Sequence, residues 1–431
     1  MGVDSVRRQG AADTSFEQRS CDRGDLAMDL QRFAIGGRVI LSDDPQLHEA
    51  LARAYESPTR PRCLCTAGGV EMYVARHRQF VIKRMPGTGH LHHAVCPSFE
   101  PEASQSGLGE LVGQAVIEAE FGRVELRVGF AWERRDGRSA LPGEPHGTGE
   151  VTQPRRRMSL RGLMHFLFER AGFNRWSPAM EGKRNQGVLH KYLTEAAEDV
   201  LVKGGLLGDR LYVPEPFIEP RRSEAAQRRR VKLSILSPRD GHWPLAVVLG
   251  EFKRCDDTAL GKRIWLRHMP DAPLLASNRL WERTARAFGP LFEARDADSG
   301  VAVRLLVAAL IRARREQTYE VESVSMMLVS EHWIPVEGVH ELPLIKALVA
   351  QRRRFVKPLR YDARSVAGFA NALLTDAGPV AVPLHVLSPF MTEADRMTKE
   401  RGIAAVGASA WVWSTERPMP ALPTPRGLST R

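Results

Sequence analysis

The chain of 431 residues is 43% apolar and 26% charged, shares that exclude a largely disordered protein, and its length exceeds the ~100–200 residues of one domain. With 62 Lys and Arg against 51 Asp and Glu it carries a net charge of +11, so polyanions, nucleic acid above all, are the expected macromolecular partners. The most apolar stretch, Val301 to Ile311, is interrupted by Arg304 and falls short of the ~20 residues of a membrane span, so no membrane role is expected.

Taken in chain order, the periodicities predict an α+β, multidomain protein. Residues 1–27 lack periodicity and the apolar run of a secretory signal, and they read as a disordered tail on a cytoplasmic protein, with Met28 an alternative start. A β-rich domain is expected over 28–135. It opens with a short strand through Phe33, Ile35, Val39 and Ile40 and a helix over 45–55, ended by Pro58 and Pro61. Alternating strands follow at Val70, Met72, Val74 and at Phe80, Ile82, Arg84, with a turn at Arg78-Gln79 between them, and another strand runs from Phe121 to Trp132.

Residues 136–157, rich in Gly and Pro and ending in Arg155, Arg156 and Arg157, read as a linker. A helical segment is expected over 158–230. Ser159 caps a helix that stops at Gly172, and a second helix spans 183–199. A strand at Leu211 to Val213 makes a winged helix one reading of this pair, an ordinary helical pair being preferred. Arg221 to Arg230 reads as a solvated helix.

An α+β domain is expected over 231–330, with strands at 245–250, 263–268 and near Val301 and Val321, and a helix over 278–292. The last domain, 331–416, is read as α/β: a helix over 339–349, strands at 355–361, 369–375 and 380–387, a helix over 392–401 and a strand at 410–413. That order resembles a degenerate nuclease-like core. Residues 417–431 are Pro-rich and expected to be flexible.

Cys21, Cys63, Cys65, Cys96 and Cys255 are too few and too unevenly placed for a disulfide framework. Cys63 and Cys65 precede the predicted hairpin, and His90, His92, His93 and Cys96 follow it. A hairpin returning on itself brings the two groups together, and thiolates with an imidazole are the ligands of tetrahedral structural zinc. Cys63, Cys65, His92 and Cys96 are the expected ligands, with His90 and His93 competing for the histidine position. Three cysteines and one histidine close the coordination sphere, which predicts structural and not hydrolytic zinc.

Arg62-Cys63-Leu64-Cys65, Gly68-Gly69-Val70-Glu71-Met72-Tyr73, Ile82 to Gly89 and His92-His93-Ala94-Val95-Cys96-Pro97-Ser98 resemble the bacterial family known as domain of unknown function 1173, marked by three N-terminal cysteines. Asn174 to Pro178, Tyr212 to Pro216, Glu331 to Pro335 and Arg354 to Lys357 extend the resemblance over most of Met28 to Trp413. The resemblance implies no activity. It implies the cysteine site and a setting on plasmids and integrative elements.

Asp240, with Glu251-Phe252-Lys253 at the end of an apolar run, fits the short Asp, spacer, Glu-x-Lys pattern of Mg²⁺-dependent nucleases. An exposed strand end is the preferred reading of it. In the last third, Asp376 stands near a metal-carboxylate position, yet Val382-Pro383-Leu384-His385 occupies the place of a Glu-x-Lys. The functional expectation is a zinc-stabilised, nucleic-acid-associated accessory protein without catalytic residues, with phosphate contacts at Arg155 to Arg157, Arg228 to Arg230 and Arg352 to Arg354. A Mg²⁺ nuclease using Asp240, Glu251 and Lys253 and a protein-interaction scaffold are the alternatives.

Overall fold

The computed structural model describes residues 31–76, 79–119, 123–135, 156–203, 205–297, 302–315, 317–363 and 368–426. The expected N-terminal tail, Cys21, and all of the expected linker except Arg156 and Arg157 lie outside them. The described residues form a mixed α and β fold with seven α-helices and several sheets, and the chain divides into two compact units, 1–85 and 86–431.

In the first unit, β1 (Arg32–Ile35), β2 (Arg38–Leu41), β3 (Arg62–Cys63), β4 (Val70–Arg76) and β5 (Phe80–Arg84) form an antiparallel sheet in the order β2-β1-β3-β4-β5, with α1 (Leu47–Tyr55) between β2 and β3. The β1–β2 turn is Gly36-Gly37, both at positive φ, the backbone that a two-residue hairpin with the strands' own twist requires. The predicted β4–β5 hairpin is present, with Met72 opposite Arg84 and Val74 opposite Ile82. Helix α1 packs on it, its Tyr55 ring 5.3 Å from that of Phe80.

The second unit begins with β6 (Val116–Glu118), β7 (Val124–Leu126) and β8 (Glu133–Arg135), then α2 (Leu160–Arg170), β9 (Arg175–Trp176) and α3 (Gln186–Glu198). Next come β10 (Val200–Val202), β11 (Gly205–Leu206), β12 (Leu211–Tyr212), α4 (Arg222–Leu233) and β13 (His242–Pro244). Strands on both sides of the expected linker pair with one another: β7 runs parallel to β10, and β8 is antiparallel to β13. Helices α2 and α3 bury Leu163, Leu167, Leu189 and Leu193 in one core.

The long strands β14 (Ala246–Thr258), β15 (Gly261–Leu266), β16 (Met269–Ser277), β17 (Val303–Arg315) and β18 (Thr318–Ser330) follow, with α5 (Asn278–Asp296) between β16 and β17. β14 pairs β15 and β17, β15 pairs β16, β16 pairs β18 and β18 pairs β17, so the five close into a ring. Both faces are covered, which is why Leu245–Leu249 and Leu305–Ile311 read as unbroken apolar runs. Val247, Leu249, Leu306 and Ala308 join the core of α2 and α3, whereas Ala246, Val248, Leu305 and Val307 join Leu280 of α5.

The chain ends with β19 (Pro335–Val336), α6 (Leu342–Ala350), β20 (Phe355–Val356), β21 (Ala372–Leu374), β22 (Val382–Leu387), α7 (Glu393–Val406) and β23 (Trp411–Ser414). Strands β20, β21 and β22 form an antiparallel meander, β23 lies parallel to β22, and β9 pairs the far edge at β20. The expected order of elements is present, with β20 and β21 much shorter than read. Pro383 sits in a central strand without breaking it because β23 begins pairing only at Leu384. The segment from Arg417, expected to be loose, is held through Arg426: the indoles of Trp411 and Trp413 donate to the carbonyls of Ala421 and Arg417, and Arg426 N–H donates to Asp376 O at 2.8 Å.

Candidate metal centre

Cys63 ends β3, where it is paired on one side with Phe33 and on the other with Val70, and it is 1% exposed. The chain leaves the strand through Leu64 and Cys65 and turns at Gly68-Gly69, both at positive φ. A Cβ on Gly69 would lie 3.1 Å from the Cys63 carbonyl oxygen, so this close return over the cysteine needs glycine.

His92 and Cys96 sit on the loop after β5. A 3-10 turn, Gly89–Leu91, delivers His92, whose N–H donates to Gly89 O at 3.3 Å. The Glu100 N–H donates to the same oxygen at 3.1 Å, and a Cβ on Gly89 would come within 2.5 Å of that of Glu100. The loop is thereby closed on itself around Cys96, whose N–H donates to His93 O at 2.8 Å and whose Sγ accepts from Ser98 N–H at 3.4 Å. Cys96 Sγ and His92 Nδ1 are 3.8 Å apart.

Cys63, Cys65, His92 and Cys96 each offer one ligand atom, and the four atoms all lie within 4.8 Å of one another, a cluster that could hold a metal ion. Zinc–sulfur bonds of about 2.3 Å in a tetrahedron put ligand atoms roughly 3.8 Å apart, so the donor set and its spacing both fit. Among the described residues, no disulfide joins Cys63, Cys65, Cys96 and Cys255. His90 is exposed and His93 stands outside the cluster, its Nδ1 accepting from Val95 N–H at 3.3 Å and its pKa lowered by burial. Cys255 lies on β14, where burial pushes its thiol up to about 11. No other group of three or more His, Cys, Asp or Glu suited to a metal occurs among the described residues.

The nuclease pattern does not assemble. Asp240 is exposed in the turn before β13, and Lys253 is exposed on β14. Glu251 is buried between the guanidiniums of Arg267, at 2.8 Å, and Arg304, at 3.3 Å. Two cations neutralise the carboxylate that a metal would need. Asp376 is likewise taken: it receives Arg353 Nε and Nη2 at 3.1 and 2.7 Å and the N–H of Arg354 at 2.8 Å.

The basic runs divide in the same way. Arg353 and Arg354 are buried, leaving Arg352 exposed, and Arg229 is buried against Asp271. Helix α4 is therefore solvated on one side only, where Arg222, Arg228 and Arg230 are exposed, as is Arg221 just before it. Sequence reading missed a second polar cluster, Glu341, Lys357, Asn371 and Lys399, all buried. Charged residues inside a core leave no periodic signal, and these are scattered from α6 to α7.

The family described as a protein of unknown function, DUF1173, matches residues 33–416. The chain belongs to this family. No curated protein matches it, and no solved structure does. In this DUF1173 chain the matched region holds the whole cysteine and histidine cluster and every described helix and strand from Phe33 to Ser414. No described helix is long and apolar enough to cross a membrane.

Proposed function

We propose that Cys63, Cys65, His92 and Cys96 hold one structural Zn²⁺, and that this DUF1173 protein is a zinc-stabilised accessory protein that binds nucleic acid and performs no chemistry of its own. The four-ligand cluster carries the reading. Three thiolates and one imidazole fill a tetrahedral sphere, leaving no open position at which water could be activated. Thiolates persist in a reducing compartment, which makes the cytoplasm the proposed location. The nucleic-acid part rests on the net charge of +11 and on the arginines that α4 exposes. The plasmid and integrative-element setting, and any likeness of the last sheet to a nuclease core, belong to the same proposal.

Elemental analysis of protein purified without chelator tests the first half. One zinc per chain is expected, with loss of metal in Cys63→Ser, Cys65→Ser, Cys96→Ser and His92→Ala. Substoichiometric zinc in the unmodified protein, or full zinc in Cys63→Ser and Cys96→Ser, would overturn it. For the second half, fluorescence anisotropy with labelled DNA and RNA should show binding at ~50 mM salt that weakens steeply as salt rises, because each neutralised phosphate releases counterions. A flat salt response, or no binding, would favour the protein-interaction scaffold.

A further inference from the structure

A cavity of about 220 Å³ opens in the second unit where the start of α6, the end of β22 and helix α7 meet, with Glu341, Asn371, Ser388, Arg360, Glu337 and Lys399 in its wall. Lys399 reaches in from α7 and is 4% exposed. Its ammonium donates to Phe369 O at 2.5 Å and to Asn371 Oδ1 at 2.7 Å. That accounts for two of the three N–H groups of an ammonium.

The carboxylates nearby are already engaged with other groups. Glu341 takes Lys357 Nζ at 3.3 Å, the amide of Asn371, and the N–H of Glu337 at 2.8 Å. Glu337 takes Arg360 at 3.1 Å and Arg161 at 3.4 Å. Asp395, also in the wall, takes the hydroxyl of Thr392 at 2.8 Å. No carboxylate lies within ion-pair distance of Lys399 among the described residues.

Its other neighbours include Lys357 and Arg360, of like charge, and His385, 2% exposed and with no partner on either ring nitrogen among the described residues. Burial pushes Lys399 down to about 7, partly offset by the Glu341 charge, and it pushes His385 down to about 4, keeping the imidazole neutral. Ser388, also in the wall, accepts from Phe390 N–H at 3.2 Å, and its own hydroxyl proton has no acceptor among the described residues. A buried ammonium with no carboxylate at ion-pair distance and a buried hydroxyl without an acceptor are both unfavourable.

We propose that this cavity binds a phosphoryl group, held by the third N–H of Lys399 and the hydroxyl of Ser388, with Arg360 at its edge. A divalent cation fits poorly because Glu337 and Glu341 already face cations. A tetrahedral dianion supplies the missing counter-charge and can accept from donors on several sides. The inference stands apart from the zinc cluster, and it does not require the exposed arginines of α4 to bind nucleic acid.

Titration calorimetry of the full chain with inorganic phosphate tests binding, and sulfate, which does not itself titrate near neutrality, reports the proton balance. An anion beside Lys399 raises its pKa, so binding should take up protons at pH 8, read by repeating the titration in two buffers of different ionisation enthalpy. The uptake at pH 8 should shrink in Lys399→Met, whereas any uptake by His340, also in the wall, should remain. Lys399→Met should severely weaken phosphate binding, and Ser388→Ala, which leaves the helix untouched, should weaken it about tenfold.

Absence of phosphate binding at ~10 mM, a value that would mark the affinity as weaker than about 3 kcal/mol, would overturn the proposal. So would phosphate binding by Lys399→Met as tight as that of the parent protein. Competition of bound phosphate by a 5′-phosphorylated dinucleotide would identify a nucleic-acid end as the source, and its failure to compete would identify free phosphate. Either result is independent of the salt-dependent DNA and RNA titration above.

Discussion

At the scale of single residues, charge positions are legible from sequence and charge partners are not. Arg352, Arg353 and Arg354 read as one basic run, yet only Arg352 is exposed, and it turns through a φ of +54°. Arg353 instead meets Asp376, the two side chains 3% and 7% exposed. Nothing local announces a partner on the far side of a strand. Breaking such a pair by removing one member leaves a buried charge uncompensated, so Asp376→Ala should cost about 3–5 kcal/mol in chemical denaturation. A cost below ~1 kcal/mol would mean that water replaces the carboxylate. The cysteine cluster was legible for the opposite reason: soft ligands on either side of a hairpin are rare enough in sequence to be noticed, and the hairpin itself is announced by its alternation.

At the scale of elements, the expected cap at Ser159 is present, and two further caps, at Asn185 and Thr392, are found only in the structure. Ser159 Oγ accepts from the N–H groups of Arg161 and Gly162 at the start of α2, Asn185 does the same for α3 and Thr392 for α7. The Ser159 hydroxyl also donates to Asp362. Ser159→Ala should therefore destabilise the second unit by about 1–2 kcal/mol, measured as a lowered denaturation midpoint with unchanged slope. Gly162→Ala should be worse, since a Cβ there would meet the Asp362 carboxylate and the side chain of Met158. A midpoint unaffected by Gly162→Ala would show that Asp362 can move. Strands β14 and β17 were visible as apolar runs, but the ring they close depends on partners found only in space, such as Leu274 with Tyr319. Strand β20 is shorter than its sequence pattern because Pro358, Leu359 and Tyr361 continue the apolar run after pairing has ended.

At the scale of the whole molecule, buried neutral histidine couples stability to pH. His165 on α2 is 3% exposed, and its Nδ1 accepts the N–H of Tyr361 at 2.8 Å, joining the first helix of the second unit to the segment after β20. Burial, then the Arg161 charge, lower its pKa to about 3 from 6.5, against a smaller opposing effect of Asp362. The unfolded chain takes up this proton near pH 6.5 and the folded chain does not until about pH 3. Between those values the unfolded state binds more protons, so stability is fully present above pH 6.5 and is lost progressively as the pH falls. At about 1.4 kcal/mol per pH unit, the loss from this one group reaches on the order of 4 kcal/mol near pH 3. Protonation would also turn Nδ1 from acceptor into donor and break the bond to Tyr361. His165→Gln retains an acceptor without a titration, so urea midpoints taken from pH 7 to pH 4 should fall less steeply in the variant than in the parent. Acid release of a bound metal affects both proteins alike and cancels in the comparison. Parallel pH profiles for the two would show that His165 does not titrate between folded and unfolded states in this range.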